Sequence, residues 1–281
     1  LSRLSSRSPN ALSSGDPTTA MVTKFEQYDV NSPWVLIVDD RVPTPDKDSG
    51  SVRMFAIIRL IRAMGYNMVF VDDKNIDDAS YARTLREQGV EVLHGFEKAA
   101  RHLNKCGGRY HYVMLSRPDT VSRYLPVVRA NAIRAEVIYD TVDLSWVRLE
   151  RALDVAFDEA TREQADHYKR LELMSVACTD VTLAITAEEK AQILAERPDS
   201  HVEILPNIHE IHPGGKPFAD RQGLMFIGGF WHDPNEDAVI YFVNEILPLI
   251  TGQLPDIVLH VIGSNMPESI RSLASEHVKP V

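Results

Sequence analysis

The 281-residue chain is long enough for two domains of roughly 100–200 residues each. Its 44% of hydrophobic and 25% of charged residues are typical of a globular protein and exclude a chain that is disordered throughout. The 30 basic and 40 acidic residues give a formal net charge of −10, which argues against a nucleic-acid partner because this charge repels polyanions. Two cysteines are too few for a disulfide framework or a four-cysteine zinc site, and no apolar run is long enough to cross a membrane.

Residues 1–30 differ in composition from the rest of the chain. They are rich in serine, include Arg3 and Arg7, and contain no acidic residue before Asp16. This pattern predicts a flexible N-terminal segment or linker, and a targeting peptide is the alternative. With only two cysteines in the chain, a reducing compartment such as the cytoplasm fits best.

Strand and helix patterns alternate over residues 31–208, which predicts an α/β domain of the Rossmann-like type with a doubly wound parallel sheet. The predicted strands are short apolar runs at residues 35–38, 68–71, 90–93, 112–115, 136–139, 181–185 and 202–205. Three helix signals are a cap at Asp77 or Asp78, a charged helical stretch over residues 146–178, and the capping box Thr186-x-x-Glu189.

The alternation restarts after a connection rich in proline and glycine, over residues 209–223. Predicted strands at residues 224–227 and 258–262, with a helix over residues 235–250 between them, mark the start of a second Rossmann-like domain over residues 224–281. This stretch is under half of a usual domain, so we expect the second domain to be incomplete.

Open α/β sheets bind ligands beyond the carboxyl ends of their strands, where several residues of this sequence suit an anion. Gly50 stands before a predicted helix and lets the backbone approach a phosphate closely, although a tight turn is its alternative role. Arg117 follows the fourth strand, and an arginine there suits a phosphate or a carboxylate. The alternative for Arg117 is an ion pair with a nearby acid such as Asp119.

Two carboxylates, Asp140 and Asp143, follow the fifth predicted strand. Side chains of this type at a strand end suit an electrostatic or general-base role. Helix capping is the alternative, because Asp143 and Ser145 both stand where the first cap of the next helix is expected.

Gly228 and Gly229 follow the first strand of the second domain and precede a helix that begins near Pro234. Two glycines before a helix N-terminus predict a cradle for a diphosphate. The segment lacks the G-x-G-x-x-G pattern of dinucleotide-binding folds. His209 and His212 lie close together, but in a connection of this composition they are weak evidence for a metal, and no metal site is expected.

Six segments carry a resemblance to a known family, and they occur in the family's order. They are Val35–Met54, Leu115–Pro118, Val137–Leu144, Ile204–Asn207, Leu224–Ala238 and Val261–Asn265. With these segments the chain resembles the bacterial-type family 4 glycosyltransferases, whose GT-B fold has two Rossmann-like domains. The resemblance extends from about residue 34 to the end of the sequence.

The resemblance implies a retaining glycosyltransferase, which moves a sugar from a nucleotide-diphosphate donor to an acceptor hydroxyl in glycan or polysaccharide biosynthesis. The first domain then binds the glycan or other hydroxyl acceptor, and the second binds the donor. No metal and no other cofactor is implied, because helix N-termini and basic side chains stabilise the charge of the departing diphosphate. A cytoplasmic location is implied as well, with peripheral association at the inner face of the membrane as an option.

The resemblance implies several residues of the site, and the residues of the sequence themselves suggest the others. Asp140 and Asp143 are the catalytic candidates, since relatives commonly have a histidine soon after the second aspartate and this sequence has Ser145 and Trp146 there. The other candidates are those for donor phosphates, Gly50, Ser51, Gly228, Gly229 and Asn207, and those for an acceptor or other anion, Arg53 and Arg117.

The family's donor site also uses later strands and two glutamates eight residues apart. Glu268 and Glu276 show this spacing but lie too early in the second domain, so we attribute the match to chance. We therefore expect these residues alone to transfer no sugar and to bind nucleoside diphosphates weakly. Two other functions are open: a GT-B-fold sugar-nucleotide epimerase, and a non-catalytic GT-B-like module that binds a glycan or a protein.

Overall fold

The computed structural model describes residues 32–75, 79–211 and 214–281. The N-terminal segment 1–30, the predicted caps Asp77 and Asp78, and His212 lie outside these ranges. The described chain divides into two compact units. Unit 1 consists of residues 32–44 and Gly50–Ile208, and unit 2 consists of Pro45–Ser49 and His209–Val281.

Seven parallel strands form the sheet of unit 1. They are Trp34–Asp39 (β1), Asn67–Asp72 (β2), Val90–His94 (β3), Tyr110–Ser116 (β4), Glu136–Asp140 (β5), Val181–Ala184 (β6) and Val202–Ile204 (β7). Their order is β3-β2-β1-β4-β5-β6-β7, so the direction of winding reverses between β1 and β4. The predicted doubly wound parallel sheet is confirmed, and its switch point lies between the carboxyl ends of β1 and β4.

Helices cover both faces of this sheet. Within the described residues they are Ser49–Ala63 (α1), Ala79–Glu87 (α2), Phe96–Cys106 (α3), Pro118–Asn131 (α4), Ser145–Val155 (α5), Glu159–Cys178 (α6) and Ala187–Glu196 (α7). Side chains alternate along each strand, and each face therefore has its own core. Leu36 and Val38 of β1 pack with Tyr124 of α4 in one core, and Ile37 packs with Ile58 of α1 in the other.

Local hydrogen bonds begin two of these helices. The predicted helical stretch over residues 146–178 is interrupted, because the Asp158 side chain accepts a hydrogen bond of 2.8 Å from the Thr161 N–H and starts α6 there. The predicted capping box at α7 is confirmed by the bond of 3.1 Å from the Glu189 N–H to Thr186 Oγ1. The Glu189 carboxylate accepts a bond of 2.9 Å from the N–H of Ile185, one residue before the N-cap.

Unit 2 contains a smaller parallel sheet with the order β10-β9-β8. Its strands are Leu224–Ile227 (β8), Leu259–Ile262 (β9) and Val278–Pro280 (β10), and its described helices are Asp233–Tyr241 (α8), Leu247–Thr251 (α9) and Glu268–Arg271 (α10). The predicted helix over residues 235–250 is not one regular helix, since a π-helical turn at Phe242–Ile246 separates α8 from α9. No described helix is long and apolar enough to span a bilayer.

We expect Gly107→Ala to destabilise unit 1, because a Cβ on Gly107 would lie 2.7 Å from the carbonyl oxygen of Asn131 at the end of α4. Overpacking of this kind costs about 1–3 kcal/mol of unfolding free energy, measurable by urea denaturation. Gly108→Ala is the matched control, since a Cβ on Gly108 meets no atom within 4 Å. Equal stabilities of the two variants would contradict the close approach at Gly107.

Candidate functional site

Charged and polar side chains gather where β1, β4 and β5 end. Asp39 ends β1 and Asp40 follows it, Ser116 ends β4 and Arg117 follows it, and Asp140 ends β5. These strands are neighbours in a parallel sheet, so their carboxyl ends lie at the same edge. We refer to these five residues as the strand-end cluster.

A buried ion pair lies at the base of the strand-end cluster. Arg53 of α1 is 2% exposed and donates two bonds of 2.8 Å to the two carboxylate oxygens of Asp140, which is 0% exposed. Arg53 also donates from Nε and Nη2 to the carbonyl oxygen of Leu205, at 3.1 and 3.0 Å. The pair therefore joins α1, the end of β5 and the segment that follows β7.

This geometry bears on two predicted site residues. Every guanidinium nitrogen of Arg53 donates a hydrogen bond within unit 1, so its predicted role with an acceptor or other anion finds no support in its contacts. Asp140 is held by Arg53 on both oxygens and lies 3.4 Å from Ser116 Oγ. Its contacts give it a structural role, and its catalytic role stays a prediction.

Asp39 and Asp40 are adjacent carboxyl groups with opposite pKa shifts. Burial raises the pKa of Asp39 to about 6, and the positive charge of Arg117 offsets only part of this effect. Burial also acts to raise the pKa of Asp40, but hydrogen bonds from Arg41 and Lys74 and the charge of Arg117 lower it to about 2. Near pH 6, Asp40 is therefore ionised while Asp39 is partly protonated.

Arg117 has a strained backbone. Its φ and ψ are 75° and 147°, close to the 80° and 155° of Gly95, which follows β3 in the same way. Both residues donate their N–H to the last residue of a neighbouring strand, Arg117 to Asp140 and Gly95 to Asp72. Glycine adopts this conformation freely, whereas another residue there costs about 1–3 kcal/mol.

The Arg117 side chain is oriented by acids at the end of β1. Its Nε donates a hydrogen bond of 3.0 Å to Asp39 Oδ1 and lies 3.5 Å from Asp40 Oδ1. Burial acts to lower the pKa of Arg117, but these carboxylates raise it above its usual value. An ion pair is thus present, with Asp39 rather than the Asp119 named as an example from the sequence.

The segment after β5 carries the second predicted acid. Asp143 is half exposed and pairs with Arg148 at 3.2 Å. Before it, Val142 has a φ of 65°, which is unusual for a β-branched residue. Such strained positions are frequent at functional sites, so this segment is a candidate for substrate contact.

Neither Asp143 nor Ser145 caps α5, which corrects the sequence-based expectation. The cap comes from Glu172 of α6, whose carboxylate accepts bonds of 2.9 and 3.2 Å from the N–H groups of Ser145 and Trp146. Glu172 is 1% exposed. Burial raises its pKa to about 7, although the two N–H groups act in the opposite direction.

The remaining candidate residues of unit 1 lie outside the strand-end cluster. Gly50 lies inside the first turn of α1, one residue after Ser49 begins the helix. Ser51 is buried, with its hydroxyl 3.4 Å from that of Thr44. Asn207 is exposed, beyond β7. Their predicted roles at donor phosphates stay predictions.

In unit 2, glycines bring two strand ends into backbone contact. Gly228 follows β8 and donates to the carbonyl oxygen of Ile262, the last residue of β9, at 3.1 Å. A Cβ on Gly263 would collide with the Gly228 carbonyl oxygen, and Asn235 of α8 donates a bond of 2.9 Å to the carbonyl oxygen of Gly229. Gly263 was not singled out from the sequence, where a single glycine after a strand is a weak signal.

Within residues 32–75, 79–211 and 214–281, no three histidine, cysteine, aspartate or glutamate side chains are grouped so that they could hold a metal ion. No protein-family model and no curated protein matches the sequence.

Solved structures do resemble the fold. The Staphylococcus aureus MnaA–UDP structure aligns with a TM-score of 0.51 and 9% identity, over 88% of this chain and 67% of that one. A candidate UDP-N-acetylglucosamine 2-epimerase from Listeria monocytogenes gives 0.47 and 10%, over 90% and 70%. Medicago truncatula UGT71G1 with UDP-glucose gives 0.48 and 10%, over 85% and 68%. The MnaA alignment shows a shared fold: this is an α/β protein of GT-B-like architecture with two Rossmann-like sheets.

We expect Arg53→Met to lower the free energy of unfolding by about 3–5 kcal/mol, because it leaves the buried Asp140 carboxylate without its partner. The double variant Arg53→Met/Asp140→Leu should recover part of this loss, since no unpaired charge remains. Arg129→Ala is the control. It breaks a half-exposed pair with Asp180 and should cost at most about 1 kcal/mol in the same chemical denaturation. Equal losses for Arg53→Met and Arg129→Ala would refute the buried pair.

We expect Glu172→Gln to change how stability depends on pH. The pKa of Glu172 is about 7 in the folded protein against an ordinary 4.5, so between these values the folded state keeps a proton that the unfolded chain has released. Wild-type stability should therefore fall relative to the variant as the pH rises from 4.5 through 7, by about 1.4 kcal/mol for each pKa unit. Urea denaturation across this range measures the slope. The exposed Glu163→Gln on the same helix should keep the wild-type slope, and an unchanged slope in Glu172→Gln would contradict the shifted pKa.

Proposed function

We propose that this protein is a nucleotide-sugar-dependent glycosyltransferase, which moves a sugar from a nucleotide-diphosphate donor to an acceptor hydroxyl with retention at the anomeric carbon. The proposal places this reaction in glycan or polysaccharide biosynthesis in the cytoplasm. The observation that carries it is the strand-end cluster at the switch point of a GT-B-like fold.

Two further observations support a nucleotide-sugar substrate. The S. aureus structure with the shared fold contains UDP. In unit 2, Gly228 and Gly229 lie between the end of β8 and the start of α8, and the N-terminus of a helix offers N–H groups to a diphosphate. Charge on the departing diphosphate can be stabilised by N–H groups and cations, so the proposal requires no metal.

We assign the two predicted acids different tasks. The acceptor oxygen bonds to the anomeric carbon as the bond to the diphosphate oxygen breaks, and the acceptor proton moves to the departing diphosphate. Asp143, which is half exposed, stabilises the positive charge that develops on the sugar ring. Asp140, with both oxygens bonded to Arg53, holds the end of β5 in place.

We expect Asp143→Asn to lower turnover by about a hundredfold or more, because the amide cannot stabilise a developing positive charge as a carboxylate does. Folding should be unaffected, since Asp143 forms only a half-exposed pair with Arg148. Asp154→Asn makes the same change of charge at an exposed position of α5 and should keep the wild-type rate. A wild-type rate in Asp143→Asn would remove Asp143 from the mechanism.

An assay of the complete gene product with a panel of nucleotide sugars tests the function. Release of nucleoside diphosphate that requires an acceptor, with the anomeric configuration kept, supports the proposal. Inversion at C2 of the sugar nucleotide without an acceptor would instead show the sugar-nucleotide epimerase. Tight binding of a glycan or a protein without turnover of any nucleotide sugar would show a non-catalytic module. Either of these two results would overturn the proposal.

A further inference from the structure

The arginine of the strand-end cluster is held at one nitrogen only. Arg117 is anchored through Nε to Asp39, and its side chain is 35% exposed. Within the described part of the chain, its two terminal nitrogens make no hydrogen bond. A guanidinium fixed at Nε presents its remaining donors in a plane, which is the geometry that binds two oxygens of a carboxylate or phosphate.

The backbone at Arg117 has a conformation that favours glycine. Gly95 has the same conformation and makes the same strand-end hydrogen bond as Arg117, without strain. A glycine would therefore satisfy every backbone requirement at residue 117. Arg117 thus occupies, at a cost in backbone strain, a position that glycine would occupy without strain, and strained residues of this kind cluster at functional sites.

Arg117 lies 3.0 Å from Asp39 and 3.5 Å from Asp40, and it shares Asp40 with two other cations. Asp40 pairs with Arg41 and Lys74, Asp143 pairs with Arg148, and Asp140 pairs with Arg53. The acid hydrogen-bonded to Arg117 is Asp39, which also faces Asp40 and Asp140, and burial raises the pKa of Asp39 to about 6. When Asp39 takes up a proton, Arg117 keeps only the more distant Asp40, whose charge Arg41 and Lys74 also neutralise.

We propose that Arg117 is the centre of an oxyanion site, which binds a carboxylate or phosphate group carried by the acceptor. The statement that the acceptor carries the anion rests on the proposed function. The statement that an anion binds at Arg117 rests on the geometry of unit 1 alone. It narrows the substrate to acceptors with a negative charge. Asp39 is the positioning residue, because it orients the guanidinium through Nε and sets how much of its charge reaches the ligand.

The test measures anion binding to the 281-residue chain, without a donor and without turnover. Inorganic phosphate and D-glucuronate are titrated separately at constant ionic strength, and the Nε–Hε resonance of Arg117 is followed by NMR. A saturable shift with phosphate but not glucuronate identifies a phosphate group, and the reverse identifies a carboxylate. A linear shift with both, equal to that of Arg129 at the far end of α4, would overturn the proposal.

Variants separate this site from general attraction of anions. Arg117→Lys keeps the charge but loses the planar fork, and should weaken binding by about tenfold or more. Arg129→Ala changes the net charge by the same amount as a loss of Arg117 and should leave affinity within about twofold of the wild type. Equal affinity of Arg117→Lys and the wild type would overturn the site, provided that thermal unfolding shows both to be folded.

The pH dependence tests the part assigned to Asp39. Glucuronate keeps its single charge between about pH 5 and about pH 7.5, so a change in its affinity reports on the protein. Affinity should rise severalfold toward the lower pH in the wild type and stay constant in Asp39→Asn. The same pH dependence in both proteins would contradict the role of Asp39.

The result is distinguishable from a failure of the proposed function. Binding at Arg117 in a protein that transfers no sugar would leave the oxyanion site standing and refute the transferase. If the wild type transferred sugar to neutral acceptors, at a rate that Arg117→Lys left unchanged, the transferase would be supported and the oxyanion site for the acceptor would be refuted.

Discussion

The buried pair of Arg53 and Asp140 is the interaction on which the carboxyl-end edge of the unit 1 sheet depends. Removing both charges from water is costly, and the cost is met only when each polar atom finds a partner inside. Here the guanidinium bonds both carboxylate oxygens and the carbonyl oxygen of Leu205, so a helix, a strand end and the segment after the last strand of the sheet are fixed to one another. Moving any of these elements would separate the pair and leave a buried charge without a partner.

This constraint extends from the core to the surface of the site. The carbonyl oxygen of Asp140 accepts the N–H of Arg117, so the residue that ends β5 also holds the backbone that follows β4. Strained residues persist only where their surroundings leave no alternative. Arg117 and Val142 both have a positive φ, and they follow the ends of β4 and β5. The buried ion pair thereby also restrains the backbone of residues whose side chains face solvent.

The sequence was sufficient for the architecture and insufficient for the pairing of its charges. Apolar runs and alternating helices predict the parallel sheet of unit 1. A strand that is buried on both faces is a continuous apolar run, which can be recognised from the local sequence. The partner of Arg53 lies 87 residues away, and the cap that Glu172 supplies to Ser145 crosses 27 residues. No local sequence pattern predicts contacts between residues so far apart in the chain. By contrast, the break before α6 has a local signal, the spacing of Asp158 and Thr161, although the stretch contains no proline or glycine.

Hydrogen exchange in Arg53→Lys tests most directly whether the buried pair organises this edge. Lysine keeps the positive charge but cannot bond both oxygens of Asp140 and the Leu205 carbonyl together. We expect faster exchange at the ends of β4, β5 and β7 and at Arg117, while amides in β2 and β3 keep their protection. Uniform loss of protection across the sheet, or no change near Asp140, would contradict it.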